Sequence, residues 1–356
     1  MKLSRLFNIR IATYVISLML VASAWLPLAR PRNYMPFGFA GLAFPVLWVI
    51  VIILMAVLWK KQRRYWRIPL LALVLSIRGI IPYFAFGGIR GDVDASAKSF
   101  TVMTFNSSSM GLKNYKTDTP VVGKIDEVLR EASPDILCME EFYTNSRPDR
   151  DRHLQRIREA GKYPYHYFAP HFVNWKTWHY GTIVFSRFPI IDSARIPFKG
   201  GYGRDEDLLR LQLLVHGDTV SLLVAHFASY QLNSDQYNFR RAILPFSGRR
   251  LTKRLIAHQA NILKDEMEKI PGPVIVTGDF NDVPLSYTYH TVRGNRLQDA
   301  WLERGFGLGR TFSSISPTLR IDYVLPDERF LVEDVKVYRS RLLQHFPLSA
   351  RLSLRR

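Results

Sequence analysis

The sequence predicts a mixed α/β domain carried behind a membrane-spanning amino-terminal region, on three observations. All 30 Asp and Glu of the 356 residues follow position 90, while 12 of the 49 Lys and Arg lie within the first 90 residues, so the net charge of +19 divides into +12 and +7. Three apolar stretches fill the first ninety residues, each near the roughly 20 residues a helix needs to cross about 30 Å of hydrocarbon. Beyond them the long apolar runs give way to brief ones of strand length, separated by two helical periodicities. A boundary near residue 90 therefore separates an anchor, 1–90, from a globular domain, 91–356. The charge split disfavours a uniformly basic protein that coats nucleic acid, and 47% hydrophobic with 13% aromatic residues exclude intrinsic disorder. The single Cys138 excludes an intramolecular disulfide framework and a cysteine-rich zinc module.

The anchor is expected to hold three transmembrane helices, 11–28, 37–59 and 68–86. A cleaved signal peptide is disfavoured for the first, because two further spans follow and no small-residue cleavage site stands out. The second span has no charged residue; the third carries Arg78 near its middle, where an arginine costs about 2.5–3.5 kcal/mol unless it snorkels or pairs. Lys2, Arg5 and Arg10 precede the first span, and Lys60, Lys61, Arg63, Arg64 and Arg67 separate the second from the third. The positive-inside rule puts those flanks in the cytoplasm, and an odd number of spans then sends the large domain to the extracytoplasmic face. A third stretch that only dipped into the bilayer would leave it cytoplasmic instead.

Gly87, Gly88 and Gly91 with Asp92, Asp94 and Ser96 form the linker. After it, Phe100 to Phe105, Ile136 to Met139, Thr182 to Ser186, Leu208 to Val215, Val220 to Ala225, Val274 to Thr277, Ile321 to Leu325 and Val332 to Tyr338 read as strands. Val121 to Ala132 and Leu251 to Lys269 read as helices, with apolar residues at three- and four-residue intervals. That is more strand than one buried sheet would hold.

The chemistry-bearing residues lie just past those strands, where a rigid sheet fixes polar groups at set separations. Asn106 ends the first strand, Glu140 and Glu141 the second and His226 a central one, while Asp279 and Asn281 follow another; Asp322 and His345 come later. Alone, each is more often a capping or surface group. Together they mix Asn, Asp, Glu and His as hard-metal hydrolysis requires, and they fit cleavage of a phosphate ester. Carboxylate and amide oxygens suit Mg²⁺ or Mn²⁺, with Glu141 fitting the metal role. A phosphate repels a nucleophilic water, so a cation and an imidazolium must offset charge while a carboxylate aligns the water. Asp322 beside His345 would raise the pKa of the histidine and fix its tautomer.

Thr101 to Asn106, Pro134 to Glu141, Gly181 to Ser186, Gly278-Asp279-Phe280-Asn281 and Arg320-Ile321-Asp322-Tyr323 resemble, in order and spacing, the successive motifs of the endonuclease/exonuclease/phosphatase superfamily. The resemblance runs from about residue 98 to 354, and the spans ahead of it resemble those of membrane-anchored bacterial members. It implies a four-layered α/β sandwich, two packed β-sheets flanked by helices. It also implies roles: Glu141 binding the metal with Asn106 beside it, Asp279 orienting water, Asn281 holding phosphate, Asp322 supporting His345, and His226 contacting a non-bridging oxygen. His179 stands roughly where some relatives place a phosphate-contacting tyrosine. Two positions depart. Glu140-Glu141 replaces the usual Gln-Glu and adds negative charge beside the ligand, and Gln344 replaces the aspartate of a final Ser-Asp-His motif, which implies weaker metal binding through an amide.

The expectation is thus a membrane-anchored, Mg²⁺- or Mn²⁺-dependent phosphoesterase, using in-line attack of water. Its partners would be a phosphate-ester substrate (nucleic acid, phospholipid or sugar phosphate) and the lipid bilayer, with no protein partner. The alternative is a non-catalytic module of the same fold that holds a phosphorylated ligand. The basic run Arg240, Arg241, Arg249, Arg250, Lys253 and Arg254 reads as a solvated face at least as well as a polyanion site. Trp175, Trp178, Tyr163, Tyr165 and Tyr167 read as core or loop cover at least as well as a cleft lining. Ser107 to Ser109 lack the Gly-x-Ser-x-Gly elbow of a serine nucleophile.

Overall fold

The computed structural model describes residues 2–28, 40–89, 98–114, 120–150, 152–198, 207–229, 246–314 and 316–355. Three helices open the chain: α1 (Lys2–Trp25), α2 (Ala40–Lys61) and α3 (Arg67–Ile80). Two segments, Ile9–Leu28 and Ala40–Lys61, are long and apolar enough to cross a membrane. The expected third span is not one of them. Its helix has 14 residues and so rises about 21 Å, and Pro82, which lacks a backbone N–H, follows just beyond its end. Arg78 accordingly sits in the last turn of α3 rather than mid-span, its guanidinium 5.5 Å from the Trp25 ring centroid.

The helices form an antiparallel bundle with two distinct ends. Arg10 lies over the Tyr65 ring and within 3.4 Å of Gln62 at one end. At the other, a side chain on Gly79 would strike Phe44 and touch Ala24, and the Tyr83 hydroxyl donates to the Gly41 carbonyl at 2.6 Å. Leu18 (71% exposed), Ile53, Leu71 and Ile77 turn outward, the reverse of a water-soluble bundle.

The short strand β1 (Ala85–Phe86) leads into the globular part, which follows as β2 (Phe100–Asn106), α4 (Val121–Ala132), β3 (Ile136–Asn145), α5 (His153–Ala160), β4 (Tyr165–Asn174), β5 (Trp178–Ser186), β6 (Ile190–Pro197), β7 (Asp207–Val215) and β8 (Asp218–His226). The chain continues through α6 (Phe246–Glu268), β9 (Val274–Asp279), α7 (Tyr287–Arg293), α8 (Ala300–Arg304), β10 (Phe306–Gly307), β11 (Asp322–Pro326), β12 (Phe330–Val337) and β13 (Leu348–Leu354). One sheet has the order β11-β9-β8-β7-β6 and the other β12-β13-β2-β3-β5-β4. Alternation along the strands builds the layers. Val220, Leu222 and Val224 of β8 meet Val102, Cys138 and Ala350 of the opposite sheet, forming the central core. Leu223, Ala225, Val274 and Val276 face outward onto Ile256, Ala260 and Leu263 of α6. Met103, Phe105 and Leu137 face Ile125 and Val128 of α4. The result is the expected helix–sheet–sheet–helix sandwich.

Each sheet contains one parallel pair, β2 with β3 and β8 with β9, joined through α4 and α6 respectively. The two pairs end together, and the polar residues that finish them converge. Gly278 makes this possible in the second pair: at φ +133 its hydrogen faces the Ala225 carbonyl, with which any Cβ would collide.

The remaining expectations resolve in detail. Tyr163 is buried and bonds the Pro134 carbonyl, Trp178 and Tyr167 lie against the core, and Trp175 is 76% exposed. Arg240 and Arg241 lie outside the described residues, as do the side chains of Arg249, Arg250 and Lys253; Arg254 is exposed.

Candidate functional site

The site is built where the two parallel pairs end. His226 and Asp279 are register partners across β8 and β9, and Asp279 and Asp322 across β9 and β11. In the other sheet, Asn106 pairs with Glu140 across β2 and β3. Glu140 and Glu141 do not follow β3, as the apolar run suggested, but sit inside it at a bulge. Met139 pairs with Ile183 and Phe142 with Gly181, so two glutamates oppose the single Thr182, and Glu141 takes φ +46. The extra residue re-aims the chain, allowing consecutive carboxylates different surroundings.

Asn106 holds the two halves together. Its Nδ2 donates to Asp279 Oδ2 at 3.0 Å and to Glu141 Oε1 at 3.3 Å, and its Oδ1 accepts the Ser108 N–H at 3.0 Å. Asp279 Oδ1 accepts the Asn281 N–H at 2.8 Å, and Asn281 Nδ2 donates to the Phe227 carbonyl. His226 Nε2 lies 3.8 Å from Asp279 Oδ2 and 3.9 Å from Glu141 Oε1. His345 Nδ1 meets both Asp322 oxygens, at 3.1 and 3.2 Å, and stands 3.7 Å from Asp279 Oδ2. Glu141, His226, Asp279, Asp322 and His345 thus share one pit.

Two residues support it that the sequence did not single out, Thr311 and Phe312, with a third, Ser107, that the sequence raised only to set aside as a nucleophile. The Thr311 hydroxyl accepts the N–H groups of Ile321 and Asp322 at 3.0 and 3.1 Å, Ser107 Oγ donates to the carbonyls of Glu140 and Glu141, and the Phe312 ring meets His345 at 4.8 Å in an edge arrangement. Only Ser107 had a local signal, its place beside Asn106. Two expected members lie apart from these contacts. His179, half-buried on β5, pairs in register with Thr144 and Val173. Gln344 is half-buried beside His345, and its backbone carbonyl accepts the Ser313 N–H at 2.8 Å.

Burial sets the charges. Loss of hydration, reinforced by Asp322, pushes the Asp279 carboxyl up to about 6, against the pull of His345 and His226. Burial works against protonated His345, but Asp322 and Asp279 overcome it and carry that imidazole up to about 9. Glu140 is held at about 8, mainly by burial and then by Asp322, although Thr104 Oγ1 donates to it at 2.9 Å. The negative charge expected from Glu140 is therefore largely absent at neutral pH.

This sign is measurable. A carboxyl raised from 4.5 to about 8 leaves folding unpenalised below its unfolded value, and stability then falls as pH rises through that interval. Glu140→Gln removes the penalty. In chelator, its melting temperature is expected to match wild type near pH 4.5 and exceed it at pH 7, by a difference on the order of 3 kcal/mol. Calorimetry across that range checks it; a constant difference sinks the assignment.

The donor set fits a divalent cation. Asp279, Asp322 and His345 place ligand atoms within 4.8 Å of one another, while Glu141 and Asn106 add oxygen donors alongside. His345 is tied to Asp322, which leaves the Glu141–Asn106 side as the oxygen-rich one.

Residues 4–83 match a family model described as a domain of unknown function, DUF8431. No curated protein matches the chain. Among solved structures, an endonuclease/exonuclease/phosphatase from Beutenbergia cavernae DSM 12333 is similar at 19% identity, over 72% of each chain, with a TM-score of 0.51. D. rerio TDP2, complexed with single strand DNA product, is similar at 13% identity over 72% of this chain and 99% of that one, TM-score 0.51. A mannosyl-6-phosphatase from Bacteroides thetaiotaomicron is similar at 17% identity over 72% and 100%, TM-score 0.50. These likenesses are of fold. The model described as the Endonuclease/Exonuclease/phosphatase family matches residues 103–343, more than half of the chain and all but the last of the converging strand ends, so the chain belongs to this family of phosphate-ester hydrolases.

Proposed function

We propose that this hydrolase is a membrane-held, divalent-metal-dependent phosphoesterase acting on a phosphodiester or phosphomonoester, with nucleic acid, phospholipid and sugar phosphate as the candidate classes. The observation that carries the reading is the convergence of Glu141, His226, Asp279, Asp322 and His345 on Asn106 and one another. Mg²⁺ or Mn²⁺ held at Glu141 and Asn106 would supply positive charge against the non-bridging oxygens. Asp279 orients water and takes its proton, its geometry fixed by Asn106 and the Asn281 N–H. His226 and the Asn281 amide face the phosphate. His345, oriented by Asp322, keeps Nε2 for the leaving oxygen and gives it a proton. His179 and Gln344 are proposed to serve from the rim, in phosphate and metal binding respectively.

Membrane attachment is part of the proposal. It is supported by two spans of sufficient length and by the outward apolar faces of the bundle. The extracytoplasmic side is proposed for that domain on the direction of the helices: α1 and α3 both run from the basic end toward it, so the positive-inside rule favours that side with α3, too short to count as a span alone, completing the crossing inside the bundle.

The test is turnover of bis(4-nitrophenyl) phosphate by the purified chain. Activity is expected with Mg²⁺ or Mn²⁺, to disappear in chelator, and to be lost in His345→Ala. Since Asp279 must be ionised and His345 protonated, kcat/KM should climb through about pH 6 and decline above about pH 9. Activity that survives chelation and His345→Ala would overturn the reading.

A further inference from the structure

The catalytic pit shares a wall with the end of the helical bundle. Phe312, edge-on to His345, belongs to the same apolar cluster as Leu20, Phe44 and Tyr83 of the anchor. Val283, two residues beyond Asn281, joins that cluster, and a Cβ on Gly41 would stand 2.5 Å from the Leu285 carbonyl oxygen. Phe312 thus links the His345 ring to the apolar cluster that also holds residues of the helices. At the same level β1 sets Phe86 opposite Phe306 of the globular domain. Both are 62% exposed, and Phe84 lies 4.7 Å from Phe86 and 5.8 Å from Phe306. Exposed phenylalanine rings beside the end of an apolar bundle are suited to burial at the headgroup boundary of a bilayer. One of these rings, Phe306, comes from the globular domain itself, which would bring that domain to the interfacial layer of a membrane holding the bundle.

We propose that the phosphate ester cleaved here is carried by a lipid of the same bilayer, its apolar part staying in the membrane while the headgroup phosphate enters the pit. The proposal rests on the phosphoesterase reading and names its substrate class. A site packed into the same apolar cluster as the bundle end would meet lipid phosphates near their own depth, whereas a duplex or a large soluble polyanion would have to wedge against the membrane. The chemistry is hydrolysis: a water oxygen bonds to phosphorus and its proton passes to Asp279. The ester P–O bond breaks, its electron pair staying on the leaving oxygen, which takes a proton from His345.

The experiment uses the full-length protein in phosphatidylcholine vesicles containing phosphatidic acid or phosphatidylglycerol, with Mg²⁺, and with bis(4-nitrophenyl) phosphate as the soluble comparison. Both the vesicle lipid and the soluble ester should be hydrolysed. The double variant Phe86→Ser/Phe306→Ser should lower lipid turnover by about tenfold and leave soluble turnover unchanged. Hydrolysis of the soluble ester with all three lipids intact overturns the lipid proposal and leaves the phosphoesterase standing. Hydrolysis of neither overturns both. An equal loss on both substrates in the double variant makes the aromatic seam structural and likewise overturns the proposal.

Discussion

Asp279→Asn is expected to lower kcat on a soluble aryl phosphodiester by about 10²- to 10⁴-fold without lowering the melting temperature. The substitution is isosteric. Its one side-chain oxygen can still accept the Asn281 N–H, now at 2.8 Å, at the cost of the bond from Asn106 Nδ2, and the group loses its negative charge and its capacity to take a proton from water; relief of the carboxylate's burial offsets that lost bond. Stability should not suffer, because the carboxylate is costly to the fold. Its pKa is raised to about 6, so the ionised form opposes folding once pH exceeds the unfolded value of 3.8, and the cost is nearly complete at neutral pH. Steady-state kinetics and calorimetry on the same preparation separate the two effects. A large fall in melting temperature together with activity would make Asp279 a structural residue and remove it from the mechanism.

The second large effect lies where the helical bundle meets the globular domain. Arg320→Met should lower unfolding free energy by about 3–5 kcal/mol, because it strands a buried carboxylate. Arg320 is wholly buried; its Nη1 meets Asp299 Oδ2 at 2.6 Å and its Nη2 donates to the Pro82 carbonyl at 2.8 Å. The guanidinium lies 5.1 Å from the Tyr323 ring centroid, and the Tyr289 hydroxyl donates to the same Asp299 oxygen. Asp299 also caps α8 through the Trp301 N–H. Removing the arginine therefore leaves Asp299 charged and short of a partner, and frees the chain at Pro82 from the globular domain. Adding Asp299→Asn should recover part of the loss. Denaturant unfolding in mild detergent, with limited proteolysis after Phe86, would show both; an Arg320→Met protein as stable as wild type refutes the account.

The strand ends were legible because the physics there is local. An apolar run that stops at Asn106, His226 or Asp279 marks both a strand and the point where it leaves the core, and motif order linked those points across more than two hundred residues. Other features depended on distant neighbours. β4 and β6 are edge strands, their outer faces half in solvent, so Tyr165–Asn174 and Ile190–Pro197 carry mixed residues with no clean apolar signal. β13, by contrast, alternates legibly over Leu348–Leu354 around the exposed Arg351, yet is not among the strands read from the sequence. The bulge that separates Glu140 from Glu141 exists only against Thr182, and so does the division of labour between two adjacent, chemically identical side chains.

By itself the sequence determined the division into a basic apolar leader and a phosphoesterase-like domain, the strand–helix order, and the identity of the groups that gather at the pit. The change in composition and the strand–helix order reside in patterns that neighbours along the chain already define, while the phosphoesterase likeness and the choice of those groups rest on the resemblance of the motifs to a known family. Only the tertiary structure decided that the third apolar stretch makes a short helix ending near Pro82, that Glu140 is neutral at physiological pH, and that Arg320 clamps the leader to the domain beside the pit. Each of these depends on dielectric and packing at a point where remote segments meet. Burial and charge pairing are properties of that meeting, and no window of sequence contains them.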